Sequence, residues 1–193
     1  MKEKGFVLGA SEDGIVYYRK SKNEYGLEIE QKSIEWLEKV KMSLMKGYGK
    51  KSKIRKTKRG YYRLNVYSKD LYNELLGFRK NPGKILEQPK SFRIGFLQGI
   101  FDAEGSVRLG RNHITISSNR KSVIKVICSL LEEMKINSGK NWTDKNSVTT
   151  IPIYGKENMK KFSSGIAFRH PDKKYRLELL VRDMSCKSPK MVS

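Results

Sequence analysis

The chain repeats its own order of helices and strands at an offset of 87 residues. Residues 27–29 lie 87 positions before residues 114–116, and residues 66–70 lie 87 positions before residues 153–157. In each half, the apolar residues predict the order helix, strand, strand, helix, strand, strand, helix. Because this unit occurs twice, the sequence predicts an α+β fold, a duplicated αββαββα repeat with two antiparallel sheets.

A stretch of turn-forming residues separates the two copies. Residues 77–91 contain Pro82-Gly83 and Pro89, which interrupt both helical and strand patterns. We therefore predict an N-terminal repeat over residues 1–85 and a C-terminal repeat over residues 86–193.

Positive charge is spread over both copies. The chain has 41 Lys and Arg residues against 20 Asp and Glu residues, and its net charge is +21. Residues 1–90 carry +11 of this and residues 91–193 carry +10. An excess that is not confined to a tail predicts a long electropositive surface of the kind that binds nucleic acid.

Several protein classes are excluded by composition. No apolar run reaches 18 residues, so no membrane span is predicted, and the N-terminus does not resemble a signal peptide. Cys128 and Cys186 cannot build a disulfide scaffold, and with only two histidines a Cys/His zinc site is not expected. We expect a protein of the cytoplasm, or of an organelle if the host is a eukaryote.

An acidic residue followed by glycine ends the first helix of each copy, at Asp13-Gly14 and Glu104-Gly105. A bland interpretation is a helix-ending turn. The alternative is that the two helices pair and bring the acids together, where they would repel unless a hard cation lies between them. Such a cation activates water and stabilises a leaving oxygen in phosphodiester hydrolysis. Glu12 is the alternative acid if the first helix is slipped.

Residues 97–105 read LQGIFDAEG and resemble the LAGLIDADG motif of homing endonucleases at seven of nine positions. Residues 6–14 read FVLGASEDG and keep the acid–glycine ending, but Gly9 lies four residues before Asp13, whereas Gly99 lies five before Glu104. The resemblance covers the whole chain, because the duplicated element order is that of single-chain members. Segments 29–33 and 51–69 look like archaeal intron-encoded members in particular.

The resemblance implies a fold and an activity. Two saddle-shaped antiparallel sheets would be related by a pseudo-twofold axis and packed through the motif helices, with Gly9, Gly99 and Ala103 at the contact. The implied activity is metal-dependent hydrolysis of both strands of a long, asymmetric DNA target, read in the major groove and cut to leave 3′ overhangs. The implied cofactor is Mg²⁺, with Mn²⁺ or Ca²⁺ able to substitute in binding.

The resemblance also assigns roles to residues. Asp13 and Glu104 would bind metal, and Gln31 and Lys32 would join them as catalytic residues that organise water. Some relatives have a lysine three residues after the second acid, where this chain has Val107, so the charge-stabilising role passes to Lys32 and Arg120 as an expectation. The expected partner of the monomeric enzyme is double-stranded DNA, with intron RNA as a second one. An RNA splicing maturase and an inactive DNA-binding protein remain alternatives on the same scaffold.

Strand alternation predicts the DNA-binding face. Residues 46–63 contain nine Lys or Arg residues and no acid. Because side chains alternate along a strand, one face packs on the helices and the other is free to contact bases and phosphates; Tyr18 is expected on the buried face. The predicted DNA-binding residues are Tyr17, Arg19, Lys51, Lys53, Arg55, Tyr61, Arg63, Asn65, Tyr67, Arg108, His113, Thr115 and Ser117.

Two acids fall on this same predicted face. Glu28 and Glu30 alternate with apolar residues and would repel phosphates there. They could accept a hydrogen bond from cytosine N4 or pair with the basic segment 50–58, and the sequence leaves both options open.

Overall fold

Two copies of one element order, followed by one further helix, occupy residues 1–186, the part of the chain that the structure, a computed structural model, describes. The first copy contains α1 (Lys2–Ala10), β1 (Ile15–Arg19), β2 (Glu24–Gln31), α2 (Ile34–Tyr48), β3 (Lys53–Lys56), β4 (Tyr62–Tyr67) and α3 (Lys69–Lys80). The second contains α4 (Lys90–Glu104), β5 (Gly105–Arg108), β6 (His113–Ser118), α5 (Lys121–Glu133), β7 (Trp142–Thr143), β8 (Thr149–Tyr154) and α6 (Lys156–Gly165). Helix α7 (Pro171–Cys186) follows.

The end of the predicted C-terminal repeat, residues 187–193, and the side chain of Cys186 lie outside the described residues. Cys128 is a free thiol. The boundary between residues 85 and 86 stays a prediction. Within residues 1–186, no helix has the length and apolar character that a membrane crossing needs.

Each copy forms one four-stranded antiparallel sheet, and the strand order is the same in both. The orders are β1-β2-β4-β3 and β5-β6-β8-β7. The predicted α+β fold with two duplicated antiparallel sheets is therefore confirmed.

The buried face of each sheet follows the 87-residue offset. The two central strands of each sheet contribute four apolar side chains, each at most 1% exposed, to a core under the helices. They are Leu27, Ile29, Leu64 and Val66 in the first sheet, and Ile114, Ile116, Ile151 and Ile153 in the second. Because a one-residue shift would turn all of these side chains to solvent, the core fixes the strand register.

The first hairpin of each copy turns in the same way. A short 3-10 turn follows the first strand and ends at an asparagine in the left-handed region, Asn23 (φ 46°) or Asn112 (φ 49°). Asparagine tolerates this conformation better than most residues. The two turns connect β1 to β2 and β5 to β6.

Candidate active site

Helices α1 and α4 pack with their main chains in contact. Four glycines line this contact, and a Cβ atom at any of them would lie within 2.2 Å of a carbonyl oxygen on the other helix. No side chain fits at that distance, so only glycine permits this approach. The four are Gly5 and Gly9 on α1, and Gly95 and Gly99 on α4. Ala103, which the sequence grouped with Gly9 and Gly99, is half-buried against the core.

Helix α1 reaches its acid with one residue fewer than α4, and a tighter turn makes up the difference. Gly9 and Gly99 occupy matching places in the helix contact. Residues Ser11–Asp13 then form a 3-10 turn, whereas α4 stays α-helical through Glu104. A 3-10 turn rises about 2.0 Å per residue and an α-helix about 1.5 Å, so each acid lies roughly 7.5 Å along the axis from its glycine.

Asp13 and Glu104 lie at the same end of the paired helices. Both residues are exposed, yet desolvation by the surrounding protein raises the pKa of each carboxyl group. The negative charge of Asp13 further raises the pKa of Glu104, so the two carboxylates are within electrostatic reach. Gln31, at the end of β2, donates its side-chain amide to Asp13 and opposes the rise in the pKa of that group.

Two carboxylates that repel each other are a suitable donor set for a hard divalent cation. Among the described residues, no group of three or more His, Cys, Asp or Glu side chains could hold a metal ion. Mg²⁺ binds through one or two carboxylates and takes its other ligands from water and substrate phosphate. The residues present therefore fit a cation that substrate completes, and not one enclosed by protein.

A basic side chain holds the end of each acid-bearing helix. Arg79, in α3, donates to the main-chain oxygens of Ser11 and Gly14, the latter at 2.9 Å. Lys173, in α7, donates to the three main-chain oxygens of residues 101–103, with the outer two at 3.3 and 3.2 Å. Burial lowers the pKa of both basic groups. Neither residue lies at a spacing that the sequence pattern marks, and sequence reasoning missed both.

The acid at position 102 has a different task. Asp102 is 1% exposed and accepts hydrogen bonds from the indole N–H of Trp36 at 3.2 Å and from the main-chain N–H groups of Arg169 and His170 at 3.0–3.2 Å. Burial raises its pKa to about 6, against these three donors. Asp102 thus links α2 of the first copy to the second, and its oxygens are already occupied.

The acid at position 12 is also engaged. Glu12 pairs with Arg120 of the second copy, and Arg120 also donates to the main-chain oxygen of Arg79. Arg120 therefore lies in a groove beside Glu104, but its charge is directed at Glu12. Lys32 is exposed, and its Nζ lies 5.4 Å from the centre of the Tyr61 ring. Of Gln31, Lys32 and Arg120, the structure brings Gln31 into contact with the predicted metal-binding acid Asp13 and Arg120 into contact with Glu12.

Glu28 and Glu30 pair with Arg63 on the first sheet. The charged atoms lie 3.2 Å apart for Glu28 and 2.6 Å apart for Glu30, and the register sets Arg63 directly opposite Glu30. Pairing with the basic segment 50–58 does not form, because β4 lies between β2 and β3.

The other predicted DNA-binding residues of the first copy differ in exposure. Arg19 is exposed and pairs with Glu24 at 3.0 Å. Tyr18, expected to be buried, is 43% exposed and stacks on Tyr25 with ring centres 4.4 Å apart, because edge strand β1 has no neighbour beyond β2. Of the other predicted DNA-binding residues in this copy, four are exposed: Lys51, Lys53, Arg55 and Tyr67. Three are half-buried: Tyr17, Tyr61 and Asn65.

The face of the second sheet is more covered than the sequence predicts. His113 and Thr115 are only 7% and 8% exposed, because they lie on central strand β6 and the Tyr154 ring packs 5.0 Å from that of His113. Arg108 is exposed, and the half-buried Ser117 hydroxyl lies 2.8 Å from that of Thr150. A groove over this face is lined by these side chains and by Arg111, Trp142, Tyr154 and Arg176.

Comparisons with known proteins match each half to the same kind of domain. Residues 91–167 match the LAGLIDADG-like domain, and residues 6–76 match the WhiA LAGLIDADG-like domain. The chain is 27% identical over 196 residues to the homing endonuclease I-ApeI of Aeropyrum pernix, an alignment that covers 93% of this chain and 87% of that protein.

Solved structures share the fold over nearly the whole chain. Mesophilic variants of the homing endonuclease I-DmoI give a TM-score of 0.71 at 21% identity, covering 92% of this chain and 97% of that one. Other I-DmoI structures are complexes with DNA and Mn or Ca. Full-length WhiA from Thermatoga maritima gives a TM-score of 0.66 at 17% identity, covering 100% of this chain and 63% of that one.

Proposed function

Because the chain belongs to the LAGLIDADG family and carries two domains of this type in one polypeptide, we propose that it is a homing endonuclease that cuts both strands of double-stranded DNA at a specific site. The observation that carries the proposal is the pairing of Asp13 with Glu104. Each copy supplies one acid, at the end of two helices whose main chains touch. The similarity to I-ApeI over most of both chains supports the same reaction class.

The two acids would hold a divalent cation, which we propose is Mg²⁺, with Mn²⁺ or Ca²⁺ able to replace it in binding. The I-DmoI complexes with DNA and Mn or Ca support a divalent ion in this fold. When bound, such an ion polarises the scissile phosphate, activates water and stabilises the leaving 3′ oxygen. Gln31 fixes the direction of the Asp13 carboxylate through its amide donor, and the basic sheet faces hold the duplex against the acids.

The two sheet faces would read the two halves of one target. Sheets laid end to end would cover roughly 15–18 base pairs. Because the two faces carry different side chains, the target would be asymmetric, and cutting across it would leave 3′ overhangs. The protein would act as a monomer, since the second copy supplies the partner of the first, and would work in the cytoplasm or in an organelle of a eukaryotic host.

A second candidate is a nucleic-acid-binding protein that does not cut. The first motif, in which the glycine lies one residue nearer to the acid than in the second motif, favours it. Against it, both acids are retained, and the charge of Asp13 raises the pKa of Glu104. A splicing maturase that binds intron RNA is a third candidate on the same surface.

The deciding experiment is incubation of the protein with a plasmid target library and MgCl₂, followed by sequencing of the cut ends. We expect one long target to be cut in both strands, and EDTA to stop the reaction. Asp13→Asn and Glu104→Gln should abolish cutting and leave binding nearly intact, since the carboxylates contact metal and not bases. The matched controls are Asp70→Asn and Glu157→Gln, at exposed acids elsewhere.

Three other outcomes would redirect the proposal. Cutting at the wild-type rate by Glu104→Gln would refute the site assignment and direct attention to Glu12. Specific DNA binding without cutting would favour the inactive protein, and preferential binding of intron RNA would favour the maturase. Light scattering should give one chain mass for the free protein.

A further inference from the structure

The basic side chains of Arg79 and Lys173, at the ends of α1 and α4, are not part of either motif, yet each contacts the turn from which an acid projects. We propose that Lys173 is a positioning residue for Glu104 and that Arg79 is the positioning residue for Asp13. This inference rests on the proposed endonuclease function and concerns how the two acids are held.

The contacts of Lys173 are those of a helix C-cap. The last carbonyl groups of a helix have no partner within the helix, and the helix dipole favours a cation at this end. The Lys173 amine donates to three consecutive carbonyl groups, at 3.3 and 3.2 Å for Phe101 and Ala103, and closest for Asp102. Since Glu104 follows directly, the amine fixes the direction in which that residue leaves the helix.

The same amine holds the main chain before Glu104 without occupying the acid. The hydrogen bonds of the Lys173 amine go to main-chain oxygens, so the amine does not occupy the Glu104 carboxylate. The position three residues after Glu104 supplies no such charge, since it is the buried Val107.

Arg79 does the same work at the other helix by a different route. Its guanidinium group donates to the oxygens of Ser11 and Gly14, on both sides of Asp13. Arg79 lies in α3, whereas Lys173 lies in α7, which follows the second copy and has no counterpart in the first. Each acid therefore depends on its own basic side chain, and Arg79 and Lys173 do not occupy matching positions in the sequences of the two copies.

This arrangement gives a test that separates the strands. A duplex across the pseudo-twofold axis presents one strand to each acid. Replacing one of the two basic side chains should therefore slow the cleavage of one strand more than that of the other. The substrate is a plasmid that carries the target recovered from the library, cut under single-turnover conditions in MgCl₂, with the two strands followed separately.

We expect Lys173→Met to slow one strand at least about tenfold more than the other, so that nicked plasmid accumulates. Arg79→Met should accumulate plasmid nicked in the opposite strand. Lys173→Arg should retain much of the cleavage rate that Lys173→Met loses. The control is Lys174→Met, an exposed neighbour in α7 whose amine lies 3.9 Å from Glu178. It should cut both strands at the wild-type rate. Equal slowing of both strands by Lys173→Met, or no slowing, would overturn the inference.

Hydrogen exchange of the free protein tests the positioning without cleavage. In Lys173→Met the amides of residues 101–105 should exchange faster while those of residues 11–14 keep their protection, and Arg79→Met should give the reverse. Unchanged exchange at residues 101–105 would overturn the inference even if cutting changes. If the wild-type protein cuts no target, the proposed function fails, and the exchange result alone decides the positioning.

Discussion

The face of the first sheet carries arginine–glutamate pairs, whereas the face of the second carries hydroxyl groups and aromatic rings. Arg63 is held between Glu28 and Glu30, while at the matching position of the second copy the Thr150 hydroxyl meets that of Ser117. The buried faces behind them remain alike, with β-branched or leucine side chains at every matching position. Duplication thus constrains the residues that pack, and leaves those that would meet a ligand free to diverge.

A second difference lies at one matching position of the central strands. Asn65 in β4 corresponds to Pro152 in β8. Proline has no N–H to give to a neighbouring strand, and β7 pairs with β8 over only two residues, whereas β3 pairs with β4 over four. The edge strand β7 is therefore shorter than β3. Residues 138–139 cover the edge at Pro152, where the Gly139 N–H donates to the Pro152 oxygen at 2.8 Å, and the exposed Trp142 lines the groove.

The largest expected effect tests whether the copies are equivalent where they pack. Gly9→Ala and Gly99→Ala should each lower the free energy of unfolding by about 1–3 kcal/mol or more, because the added methyl group meets main-chain atoms. Urea denaturation gives this value. Gly77→Ala, in α3 with no atom near its added Cβ, should instead stabilise by about 0.5–1 kcal/mol. A tolerated alanine at Gly9 alone would break the equivalence.

The fold was predictable because its signals are local or repeated. Burial fixes which residues alternate along each strand, so Leu27 and Ile114 identify their strands and the offset identifies the duplication. The acids at Asp13 and Glu104 are marked by the glycine that follows. Arg79 and Lys173 could not be predicted, since each binds main-chain oxygens at least 65 residues away and leaves no pattern. The burial of His113 could not be predicted for the same reason, because it depends on Tyr154 in the neighbouring strand β8.

A smaller effect sharpens the contrast between the two faces. Arg63→Ala should cost about 1–3 kcal/mol on the cognate target and relax preference at one or two base pairs. Thr150→Ala, at the matching position, should weaken binding to the cognate target by about 0.5–1.5 kcal/mol, the value of one neutral hydrogen bond. Titration of cognate and scrambled duplexes measures both effects.

Leu64→Ala is the control for this pair, since Leu64 is fully buried beside Arg63. It should lower the melting temperature and leave base preference unchanged. Equal weakening of cognate and scrambled DNA by Arg63→Ala would contradict the assignment and make Arg63 a phosphate contact.

The smallest effect concerns the basic edge of the first sheet. Lys51 and Lys53 are exposed, and no acid occurs in residues 46–63. Replacing both with alanine should weaken binding to every sequence alike and flatten the slope of log K against log salt by up to about two. Binding measured at several salt concentrations gives the slope. A change in base preference would show that these lysines reach bases.

The 3-10 turn of Ser11–Asp13 has a consequence for how such duplicated genes drift apart. A deletion inside a helix ordinarily rotates everything beyond it by about 100° and shifts it by about 1.5 Å. Here, the tighter winding of Ser11–Asp13 gives Asp13 the same axial distance from its glycine as Glu104 has, so the one-residue difference is compensated before β1 begins. A one-residue difference near a helix end can therefore be accommodated in one copy, and a search that demands fixed motif spacing will overlook that copy.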